Sequence, residues 1–457
     1  CKLSLKGCQK RGGHAVNICA VLLYVCGVSA FIPVFFQHAK KGCRIGIDRI
    51  VMLFAVGYLT VFNISTATTR FERVGLAFPV GVGVVTFVMA LMDLVRIPLT
   101  PAALITADFV LAAALVSALA VRRQKVLEAF RRPIDLNAFN FVWLLLLAFA
   151  VWMEYANFTK CMYFPVYDRD SLAAFDTMGF VAAQEHTYGA MSIFAGDYMP
   201  GMHGPGSPIA YFPLLQLAYA YVYALGAETS KIIPALMYLS FLVAFYAIVS
   251  RTTSRTAAMA ATLLVLLTPE MTSFSSLSGT NTIQAVYASL GIIYMLTWFA
   301  NRDAKYLGLG ALLLACNVWS RAEGIVFIGA AGLLVLFACV RERKFRALIP
   351  MVCTIIPVVL WQIYMACFGM TTESFVITHP FFDGEKASTI YKGIMDLLTN
   401  TQYYGWTFAA LLLAVLADVY FMVRRRADIA KLVTFVLALF FYGVVLYQVD
   451  YKWDSIN

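Results

Sequence analysis

The sequence predicts an all-α polytopic membrane protein, with about 12–14 transmembrane helices and an external loop that carries amphipathic surface helices. Three observations predict this class. Of the 457 residues, 61% are hydrophobic and only 13% are charged, and the mean hydropathy is +0.78. Soluble domains contain about 25% charged residues, so this composition excludes an ordinary soluble fold. The apolar residues also form runs near the roughly 20 residues that cross a bilayer.

The predicted spans follow one another with short polar connections. Several are shorter than a full crossing, which predicts half-helices or tilted fragments. The runs cover residues 15–36, 50–64, 75–93, 101–121, 139–157, 207–226, 232–250, 256–269, 281–299, 306–319, 324–340, 347–367, 404–423 and 431–449.

Short basic clusters between the spans predict the orientation of the chain. They lie at 122–132, 341–346 and 424–426. Cytoplasmic connections are enriched in Lys and Arg, so we expect all three clusters in the cytoplasm. The polar segments 158–206 and 368–403 then face outward as two external loops. The net charge of +10 is divided among such clusters and forms no continuous basic face, which argues against a nucleic-acid partner.

The alternation of spans fails at one place. Residues 226 and 341 are both expected in the cytoplasm, yet five apolar runs lie between them. Because an odd number of crossings ends on the other side, one run does not span, and the discrepancy lies between residues 207 and 250. The basic stretch 40–49 also falls outside if the first four spans alternate.

The basic stretch from Arg122 to Arg132 divides the chain into two predicted regions. Residues 1–135 are expected to form an accessory N-terminal region of four membrane helices. Residues 136–457 carry the polar constellations and form the predicted catalytic module. This module ends directly after an apolar run, so we expect it to be incomplete at its C terminus. The ten cysteines form no CxxC pair and lie mostly in or beside apolar runs, so no metal site is assigned to them.

The first external loop contains the carboxylates of most interest, Asp168 and Asp170. They belong to an Asp168-Arg169-Asp170 triplet, and residues 172–182 after it have the apolar spacing of an amphipathic helix on the membrane surface. Asp170 is therefore expected at a helix N-terminus, where a carboxylate caps backbone N–H groups, serves a reaction, or does both. An Asp-x-Asp triplet also holds the metal of nucleotide sugars, but the chain lacks the alternating strands and helices of a nucleotide domain.

Three further polar sites interrupt apolar runs on the predicted outer side. Tyr211 opens Tyr211-Phe212-Pro213-Leu214-Leu215, the start of an interrupted helix. A hydroxyl-rich connector at 272–281 suits hydrogen bonding to a sugar, although an ordinary turn has the same composition. Arg321 and Glu323 lie between two spans, either as a neutral ion pair or with the arginine directed at a lipid-linked phosphate.

In this order, the motifs resemble those of integral-membrane glycosyltransferases of the GT-C superfold, especially bacterial relatives of protein mannosyltransferases. Asp170-Ser171-Leu172-Ala173-Ala174-Phe175 is similar to the Asp-Ala-Leu-Ala-x-Trp that opens their first external loop. The motif at Tyr211 is similar to the Tyr-Pro-Leu-Leu start of their second core helix, and Arg321-Ala322-Glu323-Gly324 to their Lys-Asn-Glu-Gly turn. Two features depart from the family: Asn281 stands where a second acidic residue is expected, and the chain ends before an Arg that commonly follows the last core helix.

The resemblance implies an inverting transfer of a hexosyl or pentosyl group from a polyprenyl-phosphate donor. The acceptor would be a hydroxyl of a glycan, lipid or protein, on the outer face of a bacterial cytoplasmic membrane. Asp170 would be the general base, with Asp168 beside it. The residues expected to bind the donor phosphate or the substrate are Arg321, Glu323, His203, Tyr211, Asn281, His379 and Lys386. A lipid-phosphate leaving group is already a stable anion, so a divalent cation is optional and no cofactor is assigned.

Two other classes of membrane protein stay open. A multi-span transporter or lipid flippase would use external carboxylates to gate an ion or to bind a cationic substrate, but it needs polar groups near the bilayer midplane. Here the charged residues of interest cluster at one predicted membrane face. A polymerase or ligase of surface polysaccharide also uses lipid-linked sugars, but it usually has a large external loop rich in Arg and His. The segment 368–403 holds only one His and two Lys.

Overall fold

The computed structural model describes residues 47–66, 68–122, 140–194, 211–370 and 384–425, with a few further positions between 433 and 443. Of the described residues 82% are helical and none forms a strand, which confirms the predicted all-α membrane class. His203 and His379 lie outside the described residues, as do the first predicted span and the predicted boundary at residue 135.

Eight of the described helices are long and apolar enough to cross a membrane. They cover Arg70–Leu94, Pro101–Val121, Phe141–Tyr163, Ile232–Val249, Thr280–Asn301, Gly324–Glu342, Phe345–Phe368 and Thr407–Arg424. Three apolar helices are shorter: Ile50–Ile64, Leu214–Ala224 and Arg255–Leu266. The predicted total of about 12–14 spans includes residues outside the described ranges and stays a prediction.

We number the α-helices in chain order. They are α1 (Ile47–Ile64), α2 (Arg70–Leu94), α3 (Pro101–Val121), α4 (Phe141–Tyr163), α5 (Asp176–Glu185), α6 (Leu214–Ala224), α7 (Ile232–Val249), α8 (Arg255–Leu266), α9 (Pro269–Phe274), α10 (Thr280–Asn301), α11 (Ala304–Ser320), α12 (Gly324–Glu342), α13 (Leu348–Cys353), α14 (Ile356–Phe368), α15 (Gly384–Thr399), α16 (Thr401–Tyr404) and α17 (Thr407–Arg425). Helix α4 thus continues into the segment 158–206, which was predicted as the first external loop, and the chain after the helix begins at residue 164. Helices α15 and α16 occupy much of the second.

Helix α2 lies at the centre of the described bundle and packs against α1, α6 and α7. It begins with a capping box, in which Thr69 and Glu72 each accept a hydrogen bond from the backbone N–H of the other. Helices α1 and α2 approach closely at glycines, since a Cβ on Gly57 would lie 1.7 Å from the carbonyl oxygen of Ala77. One hydrophobic core contains residues from both sides of residue 135. The N-terminal helices are therefore part of the same packed body as the later ones.

Contacts between helix termini define two ends of the bundle. At the basic end, which we define by Arg122, Arg251 and Arg302, the side chain of Arg251 forms an ion pair with Glu72 at 2.5 Å. Arg251 also lies over the Tyr306 ring, so the termini of α2, α7 and α11 meet there.

The other end is the site end, which we define by Asp93 and the residues that contact it. Asp93, near the end of α2, accepts hydrogen bonds from the Thr187 hydroxyl at 2.7 Å and from the backbone N–H of Tyr188 at 3.0 Å. The phenol of Tyr364, in α14, donates to the same carboxylate. The segment after α5 and the end of α14 therefore lie beside the end of α2.

Helix α6 begins and ends at the site end. The Tyr211 ring before it packs on Phe175, with centroids 5.1 Å apart. Lys231 after it donates from Nζ to the carbonyl oxygen of Phe164 at 2.8 Å. A helix of eleven residues is roughly 16 Å long, too short to cross a bilayer. The expectation that residues 226 and 341 lie on the same side was therefore wrong, because the described part of the run, residues 211–226, does not cross. The five later runs then connect residue 226 at one end to residue 341 at the other.

This arrangement predicts a labelling pattern in sealed vesicles. Tyr163, Glu228 and Thr253 are exposed. A membrane-impermeant maleimide would report the side of each after substitution in a chain whose ten native cysteines are replaced by alanine or serine. We expect Glu228→Cys and Tyr163→Cys to be labelled from the same side and Thr253→Cys from the opposite side. Labelling of Glu228→Cys together with Thr253→Cys would show instead that α6 crosses the membrane.

Candidate functional site

A cavity of about 250 Å³ lies at the site end, between the segment before α5, the start of α10 and the end of α11. Its lining residues are Asp168, Arg169, Asp170, Phe175, Tyr211, Phe274, Leu277, Gly279, Thr280, Asn281 and Arg321. Five of the predicted site residues, which are far apart in the sequence, are brought together here. They are Asp168, Asp170, Tyr211, Asn281 and Arg321.

Asp168 caps the first helical turn of this region, and Asp170 does not. The Asp168 carboxylate accepts a hydrogen bond from the backbone N–H of Ser171 at 3.0 Å. Asp170 has helical backbone angles (φ −66°, ψ −37°) and makes no capping hydrogen bond. Of the two roles left open for Asp170, capping is not the one seen here, because helical geometry already begins at Arg169. The exposed Asp170 carboxylate is therefore left to line the cavity.

The turn of π-helix at Ser171–Phe175 and the helix α5 hold these carboxylates against α6. Gly179 meets α6 so closely that an added Cβ would lie 2.4 Å from Cβ of Tyr219. The Asp176 carboxylate accepts a hydrogen bond from the Tyr223 hydroxyl at 2.6 Å. Leu172 and Phe180 point outward and are about half exposed. One side of the predicted surface helix is thus fixed to the bundle.

Arg321 is held by four hydrogen bonds. Its Nε and Nη2 donate to the two carboxylate oxygens of Glu323, at 3.1 and 2.6 Å. Its Nη1 donates to the Thr280 hydroxyl at 3.3 Å and to Oδ1 of Asn281 at 3.0 Å. The planar guanidinium suits such a fork. Glu323 is not among the residues that line the cavity, and both of its carboxylate oxygens accept hydrogen bonds from Arg321.

The backbone between α11 and α12 places this arginine. Arg321 ends α11 in an extended conformation, with φ −157° and ψ 145°. The chain then folds back so tightly that a Cβ on Gly324 would lie 2.5 Å from Cα of Val318. The motif from Arg321 to Gly324 is therefore a sharp turn for which glycine is required on packing grounds.

The serines of the connector at 272–281 hold the cavity wall and do not face the cavity. The Ser275 hydroxyl accepts a hydrogen bond from the Asn157 amide at 3.0 Å. The Ser278 and Ser230 hydroxyls are 3.1 Å apart and hydrogen-bonded. Both connector serines are buried. From this connector, Thr280 and Asn281 are the polar side chains that reach the cavity.

Lys231 is a positioning residue that the sequence analysis missed. It is 2% exposed, and its Nζ bonds the Phe164 carbonyl and lies 5.7 Å from the Tyr167 ring centroid. Burial lowers the pKa of its ammonium group. It thus ties the start of α7 to the segment that leads into Asp168. A single lysine directly before a span was the available signal in the sequence.

Of the other predicted residues, Lys386 is described, whereas His203 and His379 lie outside the described residues. Lys386 belongs to α15 and is not among the residues that line the cavity. Arg169, which the prediction did not include, does line it. Within the described ranges, no group of three or more His, Cys, Asp or Glu side chains is arranged to hold a metal ion.

Comparison of the chain with protein-family models, with curated proteins and with solved structures gave no match. A fold class alone supports many functions, so the chemistry that the site can perform is what points to a function. The site offers two carboxylates, an oriented arginine and several aromatic rings.

The capping geometry predicts different effects of two neighbouring substitutions on stability. Asp168→Ala should lower the free energy of unfolding by about 1 kcal/mol, because the Ser171 N–H loses its partner. Asp170→Ala is the matched control and should change it by less than about 0.5 kcal/mol. Thermal or denaturant unfolding in detergent measures both. Equal losses would contradict the assignment of the cap to Asp168.

Proposed function

We propose that this chain is an inverting glycosyltransferase that moves a sugar from a polyprenyl-phosphate donor to an acceptor hydroxyl at the extracytoplasmic membrane face. One observation carries the proposal: Asp170 and Arg321 line the same cavity. A carboxylate and an arginine at one site supply the two things such a transfer needs, a proton acceptor and a cation for the departing phosphate.

The distribution of charge supports an outward-facing site. The basic end carries Arg122, Arg251 and Arg302 at the termini of α3, α7 and α10. Connections rich in Lys and Arg stay in the cytoplasm during membrane insertion. The cavity lies at the opposite end, where a polyprenyl-phosphate sugar and an aqueous acceptor both have access from outside.

In this proposal, Asp170, Arg321 and Glu323 each have a role in the transfer. Asp170 takes the proton of the acceptor hydroxyl while that oxygen attacks the anomeric carbon. The bond from the anomeric carbon to the phosphate oxygen breaks on the opposite side, and its electron pair leaves on the phosphate. Attack opposite the leaving group inverts the anomeric centre. Arg321 balances the negative charge that develops on the phosphate, in an orientation that Glu323 sets beforehand.

The aromatic lining suits a donor that is part sugar and part hydrocarbon. Phe175, Tyr211 and Phe274 line the cavity beside the charged groups. Ligand sites are commonly apolar with a few placed polar groups, and these rings offer apolar surface to the sugar ring or to the isoprenoid. Cζ of Arg321 lies 5.8 Å from the centroid of the Tyr211 ring, so the charged and aromatic parts of the site adjoin.

Replacement of the proposed base should abolish most of the transfer. Asp170→Asn should lower kcat by about 10²–10⁴-fold, because an amide of the same shape takes no proton. Asp168→Asn still offers an oxygen to the Ser171 N–H, so it should stay within about tenfold of the parent. Release of polyprenyl phosphate and formation of glycosylated acceptor are measured in membranes with a panel of polyprenyl-phosphate sugars. Near-normal turnover by Asp170→Asn would remove the assignment.

The arginine fork gives a second prediction about the same assay. Arg321→Lys should lower kcat/KM for the donor by about 10–100-fold, because an ammonium forms no planar fork with Glu323. Arg302→Lys is a matched control, since Arg302 pairs with Glu342 at 2.6 Å at the basic end. It should leave kcat/KM nearly unchanged. Equal effects of the two substitutions would mean that Arg321 acts only through stability.

One observation favours a second candidate, a transporter or lipid flippase. Glu154 lies within α4 and is 9% exposed, and Asp108, within α3, accepts a hydrogen bond from the Tyr221 hydroxyl at 2.6 Å. Ionisable side chains inside spans often mark a substrate path. The transfer assay separates the two functions, because a flippase moves its donor intact and releases no polyprenyl phosphate.

A further inference from the structure

Helix α15 is amphipathic, with an apolar side that begins after Lys386. Ile390, Ile394 and Leu397 follow one another at spacings of four and three residues, which places them on one side. Lys392 and Asp396 lie on the opposite side. The helix has sixteen residues and is roughly 24 Å long, yet its polar side prevents it from crossing a bilayer.

The apolar side of α15 has little protein cover. Tyr391 is 64% and Leu397 is 51% exposed, and no residue of the helix is buried. Its main packing partner among the described helices is the short α16, which packs in turn on α9. An apolar helix side of this kind is rarely left in contact with water, so something must cover it.

The spans before and after α15 in the sequence are α14 and α17, and each has one terminus at the site end. Helix α14 ends at Phe368, whose ring centroid is 4.0 Å from Cζ of Arg96, just after α2. Helix α17 begins at Thr407, whose hydroxyl is 2.6 Å from that of Thr268, just before α9. The two ends of this connection, at Phe368 and Thr407, therefore lie at the level where the chain leaves the hydrocarbon.

The surface that continues from α15 faces lipid. Helix α17 is apolar enough to span, and none of its 18-residue window is buried. Between the two helices, Trp406 is 77% exposed. Tryptophan and tyrosine are enriched at the boundary between headgroups and acyl chains. The aromatic residues Tyr391 and Trp406 thus occupy the position expected of interface anchors.

From these observations we infer that α15 lies in the headgroup layer of the leaflet at the site end, with Ile394 and Leu397 in contact with the acyl chains. The occupant of its apolar side is lipid. Helix α16 packs on α9, and Phe274 of α9 lines the cavity. Helix α15 therefore places the membrane surface close to the cavity wall. This inference stands without the proposed function, since it concerns only where the helix lies.

Fluorescence quenching in vesicles tests the inference. A polarity-sensitive fluorophore is attached to Ile394→Cys, Leu397→Cys, Lys392→Cys or Asp396→Cys, in full-length protein whose ten native cysteines are replaced by alanine or serine. The protein is reconstituted in phosphatidylcholine vesicles. Iodide in the water should quench the Lys392 and Asp396 labels at least about threefold more strongly than the other two. A nitroxide on the lipid acyl chains should show the reverse order.

Two other results would each overturn the inference. Equal iodide quenching at the four positions would mean that the helix is surrounded by water. Protection of the Ile394 and Leu397 labels from both quenchers would mean that protein covers the apolar side. If the chain without native cysteines does not fold, a fluorescent non-natural amino acid at the same four positions in the natural sequence gives the same comparison.

Discussion

Backbone N–H and C=O groups have no water to bond in hydrocarbon, and this constraint governs where every irregular segment of the structure lies. Helices satisfy the requirement internally, which is why the apolar stretches are helical throughout the described ranges. The non-helical segments that build the cavity collect at one end of the bundle. There the carbonyls of Phe164 and Pro165, just after α4, find a partner in the buried ammonium of Lys231. The cavity exists because several helices end together.

That geometry explains why much of the site was predictable from the sequence. When spans alternate in direction, every second connection reaches the same end, so Asp170, Asn281 and Arg321 meet although they are far apart in the chain. The amino-acid composition and the apolar runs were sufficient to predict the all-α membrane class. Helix α6 was not predictable, because eleven apolar residues resemble a tilted span, and only its contacts on both flanks show that it stays on one side. The capping role of Asp168 was missed because the start of a helix is uncertain by one turn in sequence.

The two charged groups at the centre of the proposal differ in how they are held. Arg321 donates to Glu323, Thr280 and Asn281, so its guanidinium needs little rearrangement when charge develops near it. Asp170 makes no capping hydrogen bond, because Asp168 has taken that role. A base requires an accessible lone pair, whereas an electrostatic partner benefits from a fixed position. Asp168 caps the helix and Asp170 stays accessible, which suits the role of base proposed for Asp170.

The same reasoning accounts for Asn281, which stands where the resemblance leads one to expect an acidic residue. Its Oδ1 accepts a hydrogen bond from Nη1 of Arg321 at 3.0 Å, so it orients the guanidinium without adding charge. An aspartate at this position would form a second ion pair with an arginine that Glu323 already neutralises. Two carboxylates on one guanidinium leave a net negative cluster, which would repel a phosphate. The amide keeps the orientation and leaves the pair of Arg321 with Glu323 neutral, so the departure from the expected pattern adds no negative charge where the proposal directs a phosphate.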